Sequence, residues 1–305
     1  MRDRPKNSNG IGWQDHVAAI ANGVLGDWLD QRGNPLAIDL QVLHNGNPLN
    51  PHQPAPVSPE RTLIVLTHGL TELESIWDYP GHPGIHYGTG LAHLMAATPL
   101  CLRYNSGRPI YRNGQELAAT METLVENWPV PVERILFLGH SMGGLLVRSA
   151  CHQGSAVGHQ WINQVDSCVY LGSPHDGSWL ARAAHGTAGM LQKMPRDYLK
   201  VMGDVIDVRS EGIRNLTRGE VLPERRMRAP LLPTANHYAI SGLLANNPRH
   251  PINTLFGDAL VHEDSARGAG QPGWELTDYA AFPGINHIRL THNPAVYRQL
   301  REWLA

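Results

Sequence analysis

The feature that most restricts this sequence is a series of short, nearly unbroken apolar runs: Leu63 to Leu66, Leu100 to Tyr104, Ile135 to Leu138, Cys168 to Leu171 and Tyr238 to Ser241. Segments this short and apolar on both faces suit central parallel strands covered by helices on each side. Helical stripes lie between and after them. Leu117, Met121, Leu124, Val125 and Trp128 form one, stopped by Pro129. Val296, Tyr297, Leu300 and Trp303 form another, opened by Asn293 as a cap and Pro294 in the first turn. This alternation predicts an α/β fold, a doubly wound and mostly parallel sheet. With 305 residues, 42% of them hydrophobic, the chain has enough apolar material for a sizeable core, and disorder as the main state is excluded.

Upstream, Val17, Ile20, Ala21, Val24, Leu25, Trp28 and Leu29 fall on one helical stripe that Gly33 and Pro35 end, which predicts a surface helix. Leu36, Ile38, Leu40 and Val42 then alternate with polar or small residues before the turn signal Asn45-Gly46, which reads as an antiparallel edge strand. Residues 47–60 are proline-rich and read as a surface linker. Residues 1–60 are therefore expected to join a core made of 61–177 and 234–305. The interval 178–233 loses the strand-helix rhythm and is read as an inserted helical cap, the alternative being a long crossover with two helices.

Lys and Arg number 25 against 27 Asp and Glu, a net charge of -2, so no long-range field favours a phosphate backbone and nucleic acid is not an expected partner. The polar start MRDRPKNSNG lacks an apolar signal core and no long apolar span follows, so a soluble chain without its own export signal or stable membrane insertion is expected. Cys101, Cys151 and Cys168 are too few and scattered for a disulfide framework or thiolate zinc site, which fits a cytoplasmic setting.

Gly139-His140-Ser141-Met142-Gly143-Gly144 directly follows one apolar run and directly precedes Leu145, Leu146 and Val147. A catalytic serine needs a sharp strand-to-helix turn, which exposes its hydroxyl above the sheet and aims the next amide at the substrate oxygen. Glycine at 139 and 143 leaves room for that crossing. The alternative is a plain glycine loop with Ser141 capping a helix. Acyl transfer also needs two backbone N–H donors for the developing oxyanion. Met142 supplies one, and Leu70, after Gly69 at the end of the Leu63–Thr67 run, the other. His68 is read as tying that loop by hydrogen bonds.

THGL at 67–70, GHSMGG at 139–144 and LGSPHDGS at 171–178 together resemble the α/β-hydrolase superfamily, in particular bacterial lipases and carboxylesterases and the GPI inositol-deacylase-like hydrolases. The resemblance spans roughly 60–305 and implies a serine hydrolase acting on an ester. In that superfamily the acid and then the histidine follow the serine in chain order. His287, after Phe282-Pro283-Gly284, is the candidate base, with His292 as its competitor beside the Asn293 cap. Gly257-Asp258-Ala259-Leu260-Val261 resembles the D-G-x-V acid loop, with alanine at 259 in place of the usual glycine, so Asp258 is the candidate acid. Asp264, Asp278 and Asp176 are the alternatives.

Trp77, Tyr79, Met190 and Met194 are the candidate substrate pocket, packing being the other reading of each. His82 and His86 sit among prolines and glycines that prevent a helix from stacking them as a zinc pair. Arg103 to Arg108 ends a strand on the side where ligands bind such sheets, and its basic residues fit the surface equally well. The mechanism needs no metal or organic cofactor, and the expected partner is a small-molecule ester. An acyltransferase or thioesterase using the same acyl-enzyme is the alternative chemistry, and a non-catalytic binding protein the alternative class.

Overall fold

The computed structural model describes residues 12–177, 210–224, 229–243 and 274–305. Helix α1 (Trp13–Gln31) leads into β1 (Gln41–His44) and β2 (Asn47–Leu49). There follow β3 (Thr62–Thr67), α2 (Tyr87–Met95), β4 (Ala97–Arg103), α3 (Ile110–Glu126), β5 (Arg134–His140), α4 (Met142–Val157) and β6 (Val165–Leu171). Helix α5 (Glu211–Arg218), β7 (Asn236–Leu243), β8 (Asp278–Pro283) and α6 (Pro294–Leu304) complete the described elements.

The strands form one sheet in the order β2-β1-β4-β3-β5-β6-β7-β8. From β4 to β8 every pairing is parallel, with Ile64 opposite Leu136 and Leu138 opposite Val169. Two cores flank the sheet. On one face Leu63, Val65, Ile135 and Phe137 meet Leu117 and Met121 of α3 and Leu146 of α4. On the other, Ile64, Leu66, Leu136 and Leu138 meet Leu91 of α2 and Val296 and Leu300 of α6. Strands apolar on both faces are thus buried on both faces. From β3 the chain steps outward to β4 and then back across to β5, so the order reverses between β3 and β5. The carboxyl ends of these two strands open on the crevice where such sheets bind ligands.

The antiparallel segment lies later than the alternation predicts. Leu36 and Ile38 precede the strand, β1 begins at Gln41, and the edge is β2, formed by residues assigned to the linker. The Asn45-Gly46 turn, both residues at positive φ, joins β1 to β2, and β1 pairs with β4 on its other side. Pro48 fits an edge strand, where a missing N–H costs no ladder bond.

Helix α1 is present, but most of its apolar stripe, Leu29 excepted, points outward. Trp13, Val17, Ile20 and Trp28 are exposed, while Ala19, Asn22, Gly23, Gly26 and Leu29 face inward. Small residues let the helix approach closely: a Cβ on Gly26 would stand 1.8 Å from Asn105 Oδ1. Within the interval read as a cap, α5 packs on α1 and α3, and Leu231 and Leu232 join the main core. Residues 178–209 and 225–228 of that interval lie outside the described residues.

Candidate active site

Ser141 stands between β5 and α4 with φ 53° and ψ -123°, a conformation L-residues adopt only when surrounding structure enforces it. Its amide donates to the Leu171 carbonyl at 2.9 Å, fixing the turn to β6. The glycines are demanded by contact. A Cβ on Gly139 would lie 2.6 Å from Gly144, one on Gly143 2.4 Å from the Thr67 carbonyl oxygen, and one on Gly144 2.0 Å from Ser173 Oγ. Helix α4 starts at Met142, so the first amides of the helix point out of its N-terminus beside the serine.

The loop after β3 passes directly over this turn. A Cβ on Gly69 would lie 3.0 Å from that of Ser141. The Gly69 amide donates to Glu72 Oε2 at 2.7 Å, and the Thr71 amide to Ser106 Oγ at 3.0 Å. The Leu70 amide lies between these two tethered ones, and its side chain packs against the cluster that contains Met142. Thr71 holds φ 61°. His68 is fully buried, its Nδ1 2.8 Å from the Gly69 carbonyl oxygen and its ring stacked on Tyr104, whose hydroxyl donates to the His68 carbonyl. Burial holds the His68 imidazole below its ordinary pKa, so it stays neutral and ties the loop, as expected.

His287 begins the single helical turn that follows β8 and is 1% exposed. Its ring centroid lies 4.6 Å from that of His140, the residue preceding Ser141. His140 is itself wholly buried, with Nδ1 3.0 Å from Glu72 Oε2 and Nε2 3.1 Å from the His287 carbonyl oxygen. Enclosure raises the Glu72 carboxyl pKa. The charge and hydrogen bond of His140, the nearby His287 and the Gly69 amide outweigh that and bring it below the ordinary carboxylate value.

A sharp strand-to-helix turn at the end of β5, at the reversal point of a mostly parallel sheet covered on both faces, decides the fold. The chain has the α/β-hydrolase fold. The family described as PGAP1-like alpha/beta domain matches residues 115–201. The mature lipase BlEst2 of Bacillus licheniformis superposes with a TM-score of 0.57 at 18% identity, covering 87% of this chain and 98% of that one. A hormone-sensitive lipase from a metagenome library superposes at 0.52 with 14% identity, covering 95% and 90%. No curated protein sequence matches the chain.

On this α/β-hydrolase framework the structure brings Ser141, Met142, Leu70 and His287 to the carboxyl ends of β3, β5 and β8. Asp258, its alternative Asp264, and the pocket candidates Met190 and Met194 lie outside the described residues. Asp278 opens β8 at the opposite end of the sheet and accepts from Trp303 Nε1 at 2.9 Å, which removes it as an acid for His287. Asp176 follows β6 in a turn. His292 sits at the end of the helical turn, its Nδ1 2.9 Å from Thr291 Oγ1, next to the Asn293 cap of α6.

Of the two readings of the aromatic loop, packing describes Trp77: it is fully buried, edge-on to Tyr87 and to His140. Tyr79 is partly buried, edge-on to Tyr87. The Tyr87 hydroxyl reaches the carbonyls of Leu290 (2.9 Å) and Asn293 (3.0 Å), and Thr291 Oγ1 donates to the Ile76 carbonyl at 2.7 Å. These aromatics therefore fasten the histidine loop to the loop after β3. His86 caps α2 by accepting the Thr89 amide. Arg103 pairs with Glu74, and Arg108 with Glu116 and Asp30.

Sequence reasoning missed Glu72, Tyr104 and Ser106 as site supports. Their partners are 3 to 68 positions away in sequence, and only the β3–β4–β5 order brings the distant ones together.

Proposed function

We propose that the chain is a serine carboxylic-ester hydrolase of the esterase and lipase type, working through an acyl-enzyme on Ser141. His287 takes the Ser141 proton as the hydroxyl attacks the ester carbonyl carbon. The amides of Leu70 and Met142 hold the oxyanion, and collapse of the tetrahedral intermediate expels the alcohol, which receives the proton from His287. Water attacks the acyl-enzyme by the same route and frees the acid. Asp258 is assigned to hold the His287 tautomer and offset the imidazolium charge. Tyr79 is assigned to the acyl pocket from the loop after β3, and Met190 and Met194 to the same pocket from the interval read as a cap, with Trp77 packed behind the loop.

The observation that carries this reading is the forced backbone of Ser141, φ 53° and ψ -123°, under the Gly69 loop and one residue from a ring packed on His287. Strain of that kind persists where surrounding packing over-determines it and clusters at active sites. The lipases with similar folds agree with it. Hydrolysis of p-nitrophenyl esters of graded chain length tests it. Activity is expected to fall as pH is lowered and His287 takes up a proton. A rate held level down to about pH 4 contradicts the role of His287.

A further inference from the structure

His140, fully buried, and Glu72, with 15% of its side chain exposed, lie beside the nucleophile, and ester hydrolysis as written above gives neither a role. They make one unbroken chain of hydrogen bonds. The Gly69 amide donates to Glu72 Oε2 (2.7 Å), His140 Nδ1 meets the same oxygen (3.0 Å), and His140 Nε2 meets the carbonyl oxygen of His287 (3.1 Å). The chain therefore touches the loop after β3, the turn at Ser141 and the loop carrying the base.

The proton count along it is restrictive. A carbonyl oxygen accepts only, and an ionised carboxylate accepts only. With the Glu72 carboxyl ionised, both ring nitrogens of His140 face acceptors, and each then carries a proton. The ring is then an imidazolium, and its partner a carboxylate that also takes the Gly69 N–H. The groups packed around the pair are consistent with this: His68 is held neutral by burial, Tyr104 is far from ionising, and Trp77 lies edge-on to His140. Neither His68 nor Tyr104 supplies a competing charge.

We propose that Glu72 and His140 form a largely enclosed carboxylate–imidazolium pair that holds the oxyanion loop, the Ser141 turn and the His287 loop in register, as positioning residues for acyl transfer. The proposal rests on the ester-hydrolase reading for its catalytic consequence. The pair uses the Gly69 amide and leaves the Leu70 amide as the neighbouring donor. Its contact with His287 is made at the backbone carbonyl, which places the loop that carries the base.

Glu72→Gln tests it with little change of shape. The Gln carbonyl can still accept from Gly69, but a neutral His140 ring has one proton for two acceptors and must release one loop. On p-nitrophenyl acetate, kcat is expected to fall about 10- to 100-fold with KM within about twofold, the signature of misplaced catalytic groups rather than lost binding. Glu72→Gln/His140→Asn should be no slower than the slower single variant; multiplying losses overturn the single chain, as does a Glu72→Gln kcat within about twofold of wild type. A second readout needs no folded variant of Glu72. In the ¹⁵N spectrum of the wild-type protein, the ring signals lost in His140→Asn should both be of the protonated type, and one bare nitrogen overturns the pair. Inactive wild type, or an active Ser141→Ala, instead removes the ester-hydrolase reading, and the spectrum still decides the charge state.

Discussion

At the carboxyl ends of β3, β4 and β5, polar side chains are buried and bonded to one another, whereas at the amino ends of the same sheet they stand partly in water. His68, His140 and Tyr104 are at most 2% exposed, and their partners are backbone atoms or another enclosed group. Below, the paired Arg61 and Glu133 side chains are 56% and 63% exposed, and Arg134 meets Asp166 at 2.9 Å with about a third of each side chain in water. A partner lost below is replaced by solvent. A partner lost above strands a buried polar group, at about 1–3 kcal/mol each. The upper end therefore depends on geometry that the lower end does not need.

The largest expected break of this contrast is Gly143→Ala. The new methyl would meet the carbonyl oxygens of Thr67 and His68 at 2.4 and 2.6 Å, at the end of β3 and the start of the loop that must lie over Ser141. A loss of at least about 100-fold in kcat, with a lowered melting temperature, is expected; wild-type turnover contradicts the close crossing.

Next in size is acid sensitivity. Burial pushes the His86 imidazole down from 6.5 to about 4, so on acidification the unfolded chain takes the proton first. This contribution is complete above pH 6.5 and is lost progressively toward pH 4, about 3 kcal/mol in all. The depressed Glu72 carboxyl acts in the same direction at lower pH. His86→Asn keeps an acceptor for the Thr89 amide and should flatten urea-measured stability between these limits. An unchanged slope contradicts the assignment.

Tyr104→Phe removes the donor to the buried His68 carbonyl and should cost about 1–2 kcal/mol of stability with a slower kcat. Arg61→Ala, at the other end, should cost under about 1 kcal/mol and leave kcat alone. If Arg61→Ala proves as costly as Tyr104→Phe, the contrast between the two ends is wrong.

The same contrast explains what the sequence disclosed. Strands β3 to β7 were readable because strands covered on both faces need continuous apolar runs. Strand β8 was not among those runs: it is the far edge, and Asp278 and Pro283 leave it partly exposed. The orientation of α1 was hidden because its close packing runs through Gly23 and Gly26, while most of the apolar stripe that can be counted is exposed. The turn at Ser141 was legible from six adjacent residues, because a strand-to-helix turn is a local structure. The link from Glu72 to His140 spans 68 positions and exists only once the strand order is known.

The central claim is that the backbone lifts one hydroxyl, that of Ser141, into reacting position. Incubating the protein with a fluorophosphonate and mapping the adduct by peptide mass spectrometry tests it most directly. The account predicts one phosphonylated peptide carrying the modification on Ser141, and none in Ser141→Ala. An adduct on another residue, or equal labelling of the alanine variant, would contradict it.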